Sequence, residues 1–154
     1  MATKADFNAE EWSTVAEAPL LAGMRVVAAG RGGTLRESLA MGRVYSEARQ
    51  RHGQNELLDE LVSSPPSVDP QRLQGRGDLA AASDGQLREA VRVLNEKGSP
   101  ADVDAYKRFV VDVAQAAAEA HKEGGFIGIG GKQVSDEEQA ALDEVRSVLE
   151  ASAP

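Results

Sequence analysis

The residues that most invite chemistry in this chain are glycines grouped with a lysine: Gly124-Gly125-Phe126-Ile127-Gly128-Ile129-Gly130-Gly131-Lys132. A Walker-type phosphate loop needs a glycine five residues before its final glycine, but Phe126 stands five before Gly131. Gln133 also replaces the serine or threonine that would follow the lysine. The dinucleotide fingerprint fails as well: Gly128-Ile129-Gly130 is followed by Gly131-Lys132-Gln133, and no strand precedes it. A helix start at Ser135 makes anion binding physically feasible, yet Asp136, Glu137 and Glu138 crowd it with negative charge. The favoured reading is an apolar inter-helix turn with Phe126, Ile127 and Ile129 in the core.

A second glycine turn, Gly30-Arg31-Gly32-Gly33, is flanked by Arg31 and Arg36. Arg43, Arg49 and Arg51 follow on the same helix. Guanidinium groups suit a phosphate or an acidic partner, although interleaving with Glu37 and Glu47 is also what a solvated helix face shows. If the chain binds a small ligand, its binding residues are Arg31 and Arg36 together with Gly128, Gly130 and Lys132. That site requires the two glycine turns to converge. No residue is assigned a catalytic or metal-ligating role, and no cofactor is expected. Glu-x-x-His, His-Glu-x-x-His and Gly-x-Ser-x-Gly are all absent, and the two histidines, His52 and His121, sit near helix C-termini where the dipole accounts for them. The acids of Asp102-x-Asp104 and Asp136-Glu137-Glu138 lie in first helical turns and complement the dipole there.

The elements that must position these residues are helices. Asn8 with Glu11, Thr34 with Glu37, Ser83 with Gln86 and Ser135 with Glu138 all have capping-box spacing. Ser99-Pro100 adds a cap followed by proline at the first helical position, and Gly53, Gly98 and Gly124-Gly125 supply stops. Pro19 predicts a kink or a new start after a first short helix. Apolar residues keep helical spacing within these bounds. They are Leu35, Leu39, Met41, Val44, Tyr45 and Ala48; Leu57, Leu58 and Leu61; and Leu87, Val91 and Leu94. The clearest stripe is Val103, Tyr106, Phe109, Val110, Val113, Ala114 and Ala117, and Leu142, Val145, Val148 and Leu149 form the last. The expected fold is all-α: a compact single-domain bundle of about seven helices. Residues 63–82, rich in proline and glycine, form an internal loop between two helical groups.

Glycine turns between capped helices give this chain a partial resemblance to the tellurite-resistance TerB-like family and to bacterial helical proteins of that general type. The matching residues are Val26-Val27-Ala28-Ala29-Gly30, Gly33-Thr34-Leu35-Arg36-Glu37, and Gly131 with Val134-Ser135-Asp136-Glu137-Glu138. The resemblance implies a compact helical bundle. In that family an aspartate in the first turn, with the later glutamate, is linked to metal binding. Here Ala29 stands before Gly30, so the acid is missing and no metal site is implied.

Composition narrows the function classes. With 154 residues, 42% hydrophobic and only 4% aromatic, the chain has an apolar load that suits close-packed helices better than a sheet. A net charge of −8 makes nucleic acid a poor partner, because phosphate binding needs a basic surface. The acidity is uneven: residues 1–75 carry 8 basic and 10 acidic side chains against 9 and 15 in the rest, so the first half has room for a basic patch while an acidic membrane surface is a poor match for the second. There are no cysteines, which excludes thiolate chemistry and disulfides. No stretch has the length of a membrane span or of a signal peptide's apolar core, so a cytoplasmic location is expected. The leading functional expectation is a non-enzymatic helical interaction or scaffold module with a protein partner. The alternative is a small-ligand- or metal-dependent stress protein of the TerB-like type.

Overall fold

The computed structural model describes residues 3–29, 34–51, 53, 55–63, 79–124 and 136–151, without the side chains of 27–29, 34–38, 79, 80 and 120–124. The protein is all-helical: a 3-10 turn, Lys4–Asp6, precedes α1 (Ala9–Ala29), α2 (Thr34–Gln50), α3 (Glu56–Ser63), α4 (Leu79–Lys97), α5 (Pro100–Gly124) and α6 (Asp136–Ala151). No strand occurs among the described residues, and none of the described helices is long and apolar enough to cross a membrane.

At the N-terminus the chain follows its local signals closely. Asn8 Oδ1 accepts the Glu11 N–H at 2.8 Å, and Glu11 Oε1 accepts the Asn8 N–H at 2.9 Å, completing the box. Phe7 and Trp12 flank the cap with ring centroids 5.8 Å apart, a hydrophobic staple between N′ and N4. Glu11 also accepts a hydrogen bond from Lys97 Nζ at 2.5 Å, which ties the start of α1 to the end of α4. That bond, reinforced by the Asn8 N–H, holds the Glu11 carboxyl below the usual range.

Of the kink or new start expected at Pro19, the new start does not occur, because α1 runs on through it. A proline there has no N–H to give the carbonyl four residues back, which is that of Val15. The hydroxyl of Tyr106, on α5, donates to this oxygen at 2.7 Å in the interior and replaces the missing bond. Burial pushes the phenol's pKa well above its ordinary value, so it remains a donor. Tyr106→Phe should therefore leave a buried carbonyl unpaired and cost about 1–3 kcal/mol in denaturant unfolding. In a Pro19→Ala background the restored N–H can take over, and the same substitution should cost markedly less. Equal costs in the two backgrounds would disprove the coupling.

The central pair is α1 and α5. On one side α4 and α6 pack against both; on the other, α2 lies along α5, and α3 bridges α2 and the N-terminal turn. Buried residues from all six described helices form one cluster, and Val15, Leu57, Leu87, Tyr106 and Val145 are among those wholly excluded from water. The expected stripes of α5 and α6 are buried throughout, from Val103 to Ala117 and from Leu142 to Leu149. Gly23 allows the close approach of α2 and α5 to α1: a Cβ there would stand 2.3 Å from Met41 Sδ and 3.2 Å from Val113 Cγ1.

Three local readings need correction. Leu39, expected inward, is the one large hydrophobic side chain exposed among the described residues, at 63%. Ser83 does not cap α4, since the alanine-rich run Ala80-Ala81-Ala82 carries the helix back to Leu79. Its hydroxyl is buried, and Gln86 instead reaches α1, donating to Glu17 at 3.3 Å. The expected loop 63–82 accordingly loses both ends, as Ser63 belongs to α3 and 79–82 to α4. Residues 64–78 lie outside the described residues.

Candidate functional site

The corner where α2 ends and α3 and α5 begin is fixed by polar contacts. Gly53 turns the chain with a φ of +99°, a left-handed conformation that glycine adopts without strain. Its N–H donates to Asp59 Oδ2 at 2.9 Å, folding the turn back onto α3. Asn55 caps α3, its Oδ1 accepting the Leu58 N–H at 3.1 Å. The other end of the same amide donates to Asp102 Oδ1 at 3.1 Å. Asp102 in turn accepts the Ser99 N–H at 3.0 Å while Ser99 Oγ accepts the Asp102 N–H at 3.2 Å, a capping box opening α5. Asp102 is fully buried, and the carboxylate expected to complement a dipole thus also locks two helix starts together.

Beyond this corner the helices part and leave a cleft of about 330 Å³. One wall is a face of α5 on which Ala101, Ala105, Arg108, Phe109 and Asp112 recur at helical spacing; Ala48 of α2 and Arg51 just beyond its end, with Asn55, Leu58 and Asp59, form the other. The trough exists because the α5 face and Ala48 place methyl groups where larger side chains would have met. Phe109 forms the floor, 4% exposed and edge-on to Tyr45 with ring centroids 5.0 Å apart. Leu58, expected inward, is partly buried, packed against the core at the edge of the cleft.

The charged residues of the cleft are not matched among themselves. Neither Arg51 nor Arg108 forms an ion pair with a described residue, and both are exposed. Asp112, one helical turn after Arg108, does not pair with it. Partial burial raises the Asp112 carboxyl, the nearby Arg51 works against that rise, and Glu47 adds to it. Asp59 differs, because it is engaged by the Gly53 N–H. Two open guanidinium groups and one open carboxylate therefore surround an apolar floor. Such a site can hold an anionic group and an apolar body together; it contains no nucleophile–base pair.

A second polar group sits inside the bundle. Arg25 of α1 is 6% exposed and donates from Nη1 to Asp84 of α4 and from Nη2 to Glu144 of α6, linking three helices. The fork binds one oxygen of each acid and so ties the three helices together.

Of the sequence-expected ligand residues, Arg31, Gly128, Gly130 and Lys132 lie outside the described residues, and Arg36 is in α2 with its side chain outside them. The apolar turn Phe126–Ile129 and His52 also lie outside. Arg51, one of the arginines expected to meet an acidic partner or solvate a helix, does line the cleft. Arg108, Asp112 and the buried Arg25 were not anticipated. A usable signal existed for the cleft: Ala101 and Ala105 share a helical face with Arg108 and Asp112. Another existed for Arg25, a single charge in the apolar run Leu20–Val27. Among the residues that carry the TerB-like resemblance, Val26 is core, Glu138 is buried in the first turn of α6, and Gly30, Gly33 and Gly131–Ser135 lie outside the described residues. Among the described residues no three of His, Asp and Glu gather as a metal-binding group. No family model, curated protein or solved structure matches the chain.

Proposed function

We propose that this protein is a non-enzymatic helical interaction module that docks a protein partner in the cleft between α2, α3 and α5. The observation that supports this reading is the contrast between the cleft and its surroundings. Around it the helix caps and the turn are satisfied by designed-in partners: Asn55, Asp59, Ser99 and Asp102 all answer one another or a backbone group. Inside it, Arg51, Arg108 and Asp112 remain open over apolar Leu58 and Phe109. Rigid walls and unspent polar groups are what a preorganised recognition site requires, since little ordering cost then falls on binding.

Filling the cleft tests the reading. Ala105 is half-buried on its wall, and Ala105→Trp should occupy the trough from the open side. The parent protein should retain a stoichiometric partner on purification, and the variant should melt within a few degrees of it yet lose that partner. A variant that keeps both its stability and its partner would refute the cleft as the docking site.

A further inference from the structure

We draw no further inference here: the strongest candidate, the cleft between α2, α3 and α5 whose lining holds two arginines and two aspartates, belongs to the site already described, and nothing in the structure shows what covers it.

Discussion

Phe109→Ala should lower the free energy of unfolding by about 3–5 kcal/mol, the range for deleting a buried phenylalanine ring. The ring is 4% exposed and meets Tyr45 edge-on at 88°, so both transfer free energy and an aromatic contact are lost. The upper part of the range is expected, because a cavity costs most where neighbours cannot collapse into it. On its cleft side Phe109 has Ala48, Ala101 and Ala105 nearby, whose single methyl groups cannot reach across the gap. Urea unfolding with an unchanged slope and a lowered midpoint is the expected record. A midpoint equal to that of the parent would mean that this face of α5 is not packed against α2.

Arg25→Met should cost about 3 kcal/mol despite preserving the length and apolar stem of the side chain. Breaking a buried ion pair by removing one partner costs about 3–5 kcal/mol, because the charge left behind has lost its compensation. Here Asp84 is 21% exposed and Glu144 is 62% exposed, so water recovers part of the loss and the low end applies. Adding Asp84→Leu should recover most of the stability, since the remaining acid already faces solvent. If Arg25→Met proved as stable as the parent, the link among α1, α4 and α6 would carry no net energy, and the three helices would be held by their apolar faces alone.

What the sequence made legible was local. Asn8 with Glu11, the Ser99 cap before Pro100, and Gly53 each define an element boundary through contacts within a few residues. The apolar stripes of α5 and α6 are legible for the same reason, as their period needs no knowledge of neighbours. The errors arise where a distant residue decides the outcome. Pro19 allows a new helix start in the sequence because the hydroxyl that replaces its missing hydrogen bond belongs to Tyr106, on another helix. Ser83 reads as a cap because the serine–glutamine spacing is present, while Gln86 is in fact drawn to Glu17.

The candidate site was legible only in fragments. Arg51 was noticed as one member of an arginine-rich helix, with nothing to distinguish it from Arg43 or Arg49. Its role depends on facing α5, and that pairing is set by Gly23, Met41 and Val113 packing α1, α2 and α5 together. Arg108 and Asp112 lie beside a strong core stripe and nothing in the sequence singles them out. A cleft is a property of what fails to fill space between two helices, and a single helix's periodicity does not encode it. The small residues Ala48, Ala101 and Ala105 carry that information jointly, and only once α2 and α5 are known to be neighbours.

The most direct measurement of the docking claim places a photo-crosslinking amino acid at Leu58, in the cleft, and separately at Ser147, exposed on α6. Helix α6 contributes no residue to the cleft. If a partner docks in the cleft, illumination in cell extract should give a discrete crosslinked species from Leu58, and Ser147 should give none. Crosslinking from Ser147 with none from Leu58 would contradict the account and move the docking surface to the opposite side of the bundle.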